Sequence, residues 1–285
     1  MLSSIFGILS AISWGAGDFC GGIVSRKSGV YRAAFYGEAV GLIFLVIMLA
    51  IVREPLPAWS DLGWSAIAGV LGSAGLLLLF RALAGGKMSV AAPVSALMAA
   101  VLPVIASSLT EGLPGAYKYA GFALALVAIW LISQGDGHQT KFHLHLADLR
   151  TPLLSGVLFG FYFILMNKGS QTATVWPMVA ARSSGAFFLL WFALAKRELG
   201  WPGKTIAGLV ALNAAGDIGG NTFYILSGQA GRLDVAAVLG SLYPGMTVLL
   251  AGLILHERLN RSQWAGIAAA LAAIVLMTIK TKMGG

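Results

Sequence analysis

Charge is scarce in this sequence. Only 11% of its 285 residues are Asp, Glu, Lys or Arg, against about 25% in a soluble domain. With 58% of residues hydrophobic, a soluble fold of this size could not cover its own apolar surface. Cysteine is nearly absent, and the lone Cys20 excludes an intramolecular disulfide and any cysteine zinc site. Three of the histidines, His138, His143 and His145, fall together in one polar stretch, away from every acid in the apolar runs. There is no His-Glu-x-x-His, no Gly-x-Ser-x-Gly and no phosphate-binding glycine loop. No enzyme, metal or cofactor is therefore expected. The net charge of +8 suggests no nucleic-acid partner, because Lys and Arg stand singly between apolar runs rather than in a patch. After Met1 there is neither a basic leader nor a small-residue cleavage site, so the first apolar run is expected to stay as a helix.

What the sequence does have is long apolar runs, each roughly 17 to 25 residues, enough to cross a bilayer as helices. Breaks at charge, proline and glycine predict spans at Ser4 to Val24, Ala33 to Val52, Leu62 to Ala84, Val90 to Thr110 and Tyr117 to Ser133. A second set follows at Leu153 to Gly169, Met178 to Ala195, Thr205 to Gly228, Val235 to Leu255 and Gln263 to Ile279. The polar stretch between the sets divides the chain into a first unit, 1–133, a linker, 134–152, and a second unit, 153–285. The fold class is thus all-α integral membrane, with ten transmembrane helices.

The two units also match each other at a spacing near 145 residues. Gly86, Lys87, Met88, Ser89, Val90, Ala91 and Ala92 answer to Gly231, Arg232, Leu233, Asp234, Val235, Ala236 and Ala237. At the same spacing Ala120 to Leu131 pairs with Ala265 to Leu276, and an acid closes the fourth helix of each unit, Glu111 and Glu257. Five helices is an odd number, so the second unit must enter the membrane in the opposite sense to the first. Such inverted-topology repeats hold a binding site near the midplane, between halves that rock to expose it to either side in turn.

The sequence resembles the EamA-type ten-helix members of the drug/metabolite transporter superfamily. The resemblance rests on Ser13, Trp14 and Gly15, on the doubled Val-Ala-Ala opening of helices four and nine, and on Ser241, Leu242, Tyr243 and Pro244 running to His256, Glu257, Arg258 and Leu259. One departure concerns Pro244, whose first-unit counterpart is Met98 or Ala99, with Pro93 and Pro103 nearby instead. The resemblance implies a secondary transporter, an exporter or exchanger of small organic solutes such as amino acids or related metabolites, in the cell membrane, with the bacterial inner membrane as the natural setting. The expected partners are a small-molecule substrate and membrane lipid, with a monomer or homodimer as the assembly; a coupling proton joins them if Asp217 lines a polar cavity, whereas Asp217 locked to Arg182 would make transport indifferent to pH. An integral membrane enzyme and a non-transporting receptor or subunit are the alternatives. Orientation stays open: the odd-numbered connections hold more Lys and Arg than the even ones, which favours both termini outside, whereas the resemblance implies termini inside.

An ionisable group at a helix centre costs at least about 2.5–3.5 kcal/mol on insertion scales, so it faces a cavity or a partner. That criterion selects Asp18, Glu38, Arg81, Arg182 and Asp217, with Asn213, Asn221 and Gln229 adding polar groups along helix eight. Arg81 could pair with Asp18 or Glu38, leaving the other acid to titrate or to meet a cationic group of the substrate. Glu38 and Arg182 are equivalent under the repeat, at a spacing of 144, yet opposite in charge. Arg182 could orient a polar cargo or brace Asp217. Asp217 is the leading candidate, because Gly216, Gly219 and Gly220 let a ligand or a second backbone approach closely, although they could equally serve tight helix crossing. The expected substrate-binding set is Asp217, Asn221, Asp18, Glu38, Arg182, Trp14, Tyr162, Tyr224 and Tyr243, the aromatics standing inside spans rather than at interfaces. Glu111 and Glu257 read as interfacial anchors.

Overall fold

A backbone in hydrocarbon has no water to bond, so it must satisfy its N–H and C=O groups within itself. The chain does this with helices alone. The computed structural model describes residues 2–84, 88–132, 134, 146–197, 199–200, 203–256 and 259–278, and no strand occurs among them. The first unit holds α1 (Leu2–Ser28), α2 (Val30–Val52), α3 (Trp59–Ala84), α4 (Met88–Thr110) and α5 (Ala116–Ile132). The second holds α6 (Leu146–Gly169), α7 (Val175–Ala195), α8 (Ala207–Gln229), α9 (Leu233–Gly240), α10 (Tyr243–Ile254) and α11 (Arg261–Thr278). Together α9 and α10 make one apolar span, Leu233–Ile254, which gives ten spans in all.

Helices α2, α3 and α7 each begin three residues before the expected start, at Val30, Trp59 and Val175, and three other differences carry more structure. Helix α1 runs on to Ser28, carrying Arg26 and Lys27 in its last turn, where cations complement the dipole of the carbonyl end. Helix α6 begins at Leu146 and takes Pro152 inside it, so part of the polar linker is helical; 135–145, with the three linker histidines, lie outside the described residues. The ninth span is broken at Ser241 and Leu242, and α10 restarts with Pro244 in its first turn. Proline is preorganised there, since its missing N–H would have no partner in a first turn.

The long contacts join the two units, and they come in matched pairs. Helix α1 packs along α8 as α6 packs along α3; α1 meets α9 and α10 as α6 meets α4; α5 pairs with α11. The 145-residue spacing is visible atom by atom. Ser10 Oγ donates to the Gly220 carbonyl at 2.8 Å, and Ser155 Oγ donates to the Gly75 carbonyl at 2.8 Å. Gly220 lies under the Trp14 ring as Gly75 lies under Phe159, and Gly121 meets Leu276 and Met277 as Gly266 meets Leu131 and Ile132. The early part of α5 therefore touches the late part of α11, and the reverse. Paired helices that run antiparallel under exchange of units require a two-fold axis across the spans, the geometry of an inverted repeat.

Close crossings replace a water-driven core inside the bundle. A Cβ on Gly216 would stand 2.6 Å from the Gly17 Cα, so only glycine lets α8 lie against α1 there. Large apolar side chains face outward on most spans, among them Ile47, Ile51, Phe187, Trp191, Leu253 and Val275. That distribution is expected where lipid is the solvent.

Candidate functional site

Helix α8 is not among the six described helices apolar enough by themselves to be read as spans. Its hydropathy is lowered by Asn213, Asp217 and Asn221, and all three turn toward protein. Asn213 Nδ2 donates to the Gly17 carbonyl of α1 at 2.9 Å. Asn221 Nδ2 donates to the Asp217 carbonyl at 2.8 Å, while its Oδ1 accepts from the Tyr162 hydroxyl of α6. Asp217 itself pairs with Arg182 of α7, and the same guanidinium reaches Glu38 of α2 at 2.7 Å. Tyr162 lies within electrostatic reach of both Arg182 and Glu38.

Four helices, α2, α6, α7 and α8, thus deliver the side chains of one polar centre. A rise of 1.5 Å per residue puts Asp217 about 15 Å, and Glu38 about 12 Å, from the face where α8 and α2 begin, so the centre is deep in the bilayer. Glu38 and Arg182 side chains are each 13% exposed and Asp217 is 34% exposed, so Asp217 is the member most open to solvent. Residues equivalent under a two-fold repeat that also touch each other must lie on its axis. A strict repeat would bring like charges together there; in this sequence the two positions are Glu and Arg.

Asp18 stands apart from this cluster. It projects from α1, about 15 Å from that helix's end, is exposed, and has no hydrogen-bond or ion-pair partner among the described residues. Tyr243, at the break between α9 and α10, is the titratable group within its electrostatic reach. The other aromatics are packed more tightly. Trp14 is 9% exposed and Tyr224 fully buried, both stacked about Phe163, and the Tyr224 hydroxyl donates to the Phe163 carbonyl at 2.9 Å.

The structure therefore brings Glu38, Arg182, Asp217, Asn221 and Tyr162 into one network, leaves Asp18 within electrostatic reach of Tyr243, and places Trp14 and Tyr224 in the aromatic core behind. The Arg81 side chain lies outside the described residues, as does Glu257.

A family model described as the EamA-like transporter family matches residues 1–134 and again residues 151–279. The chain belongs to this family. It is accordingly a multi-pass membrane transporter of the drug/metabolite transporter superfamily, built from two copies of the family's repeat. An uncharacterised protein of Methanocaldococcus jannaschii is 29% identical over 132 residues, which are 45% of this chain and 94% of that protein, so a single repeat-length stretch accounts for nearly all of it. One solved crystal structure superposes with a TM-score of 0.77 over 97% of this chain and 96% of its own, at 14% identity. That is a likeness of fold.

Two charged clusters at the membrane face escaped the search for charge within apolar runs. The Glu54 carboxylate, just beyond α2, accepts from the Thr174, Val175 and Trp176 backbone N–H groups at 2.7–3.0 Å, capping α7 where its dipole favours an anion. Arg232 forms a two-pronged bond to Asp234, at 2.9 and 2.8 Å, and donates to the Glu111 and Gly112 carbonyls at 3.0 and 2.7 Å. It fastens the end of α4 to the start of α9. Hydrogen bonding to Asp234 pushes the guanidinium above its ordinary value, so Arg232 stays charged. Glu111 takes part in this knot, at 4.0 Å from Arg232.

Proposed function

We propose that the chain is a secondary transporter, an exporter or exchanger of a small organic solute such as an amino acid or related metabolite, in the cell membrane. Transport proceeds by alternating access at a central site between the two repeats. The observation that carries this reading is the Glu38, Arg182 and Asp217 cluster, drawn from both units and lying deep in the bilayer at their shared axis.

Three ionised groups at that depth are costly to insert. The fold does not need a carboxylate at position 217, since its 145-residue counterpart is Gly72, which packs against Tyr162. Retained without a packing role, such a charge serves a polar cargo. Two units related by a two-fold axis have mirror-like conformations of similar energy, and rocking between them opens the centre to one side and then the other. A coupling proton would need Asp217 released from Arg182, since the ion pair holds the carboxylate ionised and makes transport indifferent to pH near neutrality. Both carboxylates of the cluster are engaged by Arg182, an arrangement that supports binding of a polar cargo.

The test is flux. Wild-type protein in liposomes should move labelled solutes from an amino-acid and metabolite panel, whereas Asp217→Asn, nearly isosteric, should reconstitute normally and lose at least nine-tenths of the rate. Saturable binding without flux in the wild type would mark a receptor, and full flux in the variant would remove Asp217 from the site.

A further inference from the structure

We infer that the cargo carries an organic cation, an ammonium or guanidinium group, and that Asp18 is the residue that receives it. This deepens the proposed transport function and rests on it.

The charge balance of the centre comes first. Arg182 is already engaged by two carboxylates, Glu38 at 2.7 Å and Asp217 on its other side. An anionic cargo would find no uncommitted cation there among the described residues, and would face Glu38, Asp217 and Asp18 together. A cationic group meets the opposite situation, because Asp18 stands within a span, is exposed and has no partner among the described residues.

The repeat then shows that Asp18 is not demanded by packing. Its counterpart 145 residues on is Phe163, 8% exposed and stacked with Trp14 at 5.6 Å and Tyr224 at 4.9 Å between ring centroids. In one unit this place in the fold is filled by a ring. In the other it holds a carboxylate whose desolvation the bundle has to offset.

The surroundings of Asp18 supply room as well as charge. One turn before it, Gly15 is pressed against α10, where a Cβ would stand 2.5 Å from the Met246 Cβ, and Thr247 Oγ1 donates to the Gly15 carbonyl at 3.1 Å. One turn after it, a Cβ on Gly22 would meet nothing within 4 Å. The packed face of α1 thus opens toward Gly22 just beyond Asp18, with Tyr243 within electrostatic reach of the carboxylate. An unpaired carboxylate with open space beside it and an aromatic residue in its field suits an ammonium.

The experiment uses a matched series of lysine, norleucine and glutamate, with 1,5-diaminopentane as an amine lacking a carboxylate. Ligand-induced thermal stabilisation and proteoliposome counterflow are measured on the full chain. Lysine or the diamine should stabilise the wild type at concentrations at least tenfold below norleucine and glutamate. Asp18→Asn should lose that preference at least tenfold, and Asp18→Glu, which keeps the charge, should recover part of it. Stronger binding of glutamate or norleucine, an unchanged lysine response in Asp18→Asn, or no response to any cation would each overturn the inference. Flux of a neutral or acidic solute would sink it while leaving the transporter reading intact; cation binding with no flux for any solute would do the reverse.

Discussion

Replacing Arg182 with Gln should destabilise the protein far more than replacing either of its acids. At about 4 Å and an effective dielectric of about 20, each carboxylate interacts with the guanidinium by about 4 kcal/mol before desolvation is counted. Asp217→Asn leaves Arg182 closed on Glu38 at 2.7 Å, and Asp217 is itself 34% exposed. Screening at such a position reduces the loss to about 1 kcal/mol. Glu38→Gln leaves the opposite pair closed, but at a more buried group, so about 2 kcal/mol is expected. Arg182→Gln strands two carboxylates facing one another, and removing one partner of a buried pair costs about 3–5 kcal/mol. The sharpest arm neutralises everything: the triple variant Glu38→Gln, Arg182→Gln, Asp217→Asn should regain most of the stability lost in Arg182→Gln, since replacing a whole buried ion cluster is often neutral. Unfolding in detergent followed by tryptophan fluorescence reads the order directly. The reasoning fails if Arg182→Gln lies within about 1 kcal/mol of wild type, or if the triple variant is no more stable than Arg182→Gln.

Two further outcomes follow from the packing. Gly220→Leu and its repeat counterpart Gly75→Leu should both reduce the yield of monodisperse protein in detergent, because each forces a helix away from an aromatic ring at a typical overpacking cost of about 1–3 kcal/mol; Gly22→Leu, which points into open space, should purify like wild type. Arg232→Ala should lower stability by about 3–5 kcal/mol, because it leaves the fully buried Asp234 without its cation, and the double variant Arg232→Ala, Asp234→Ala should recover much of that in the same unfolding assay.

The spans were legible because lipid imposes a simple rule, that twenty or so apolar residues in a row become a helix. The repeat was legible because its two copies kept the Val-Ala-Ala and alanine-rich blocks in one register, and the twin bonds of Ser10 and Ser155 put the same register into three dimensions. Glu38, Arg182 and Asp217 stood out for the same reason, being charges where charge is costly. The pairing of Arg182 with Asp217 was one of the two roles the sequence offered; that Glu38 joins them could not be read, since α2, α7 and α8 meet only through the packing of the two units. The break in the ninth span had a signal in Pro244, since proline favours the first turn of a helix. Glu54 and Arg232 lie outside the apolar runs, where charge is ordinary; their roles depend on backbone groups of distant helices that no local pattern names.

The pairing of α1 with α8 also sets an order of events during synthesis. The Ser10 hydroxyl finds its acceptor on Gly220, 210 residues later, and α3 waits likewise for α6. At about 5–20 residues per second, some 10–40 s separate the appearance of these two groups at the ribosome. Through that interval the first five helices lie in the bilayer with their glycine faces and buried acids unmatched by the helices that will cover them. The nascent half is then an orphan exposed to membrane quality control, and cells expressing only residues 1–133 should degrade them quickly unless the second half is supplied in the same membrane.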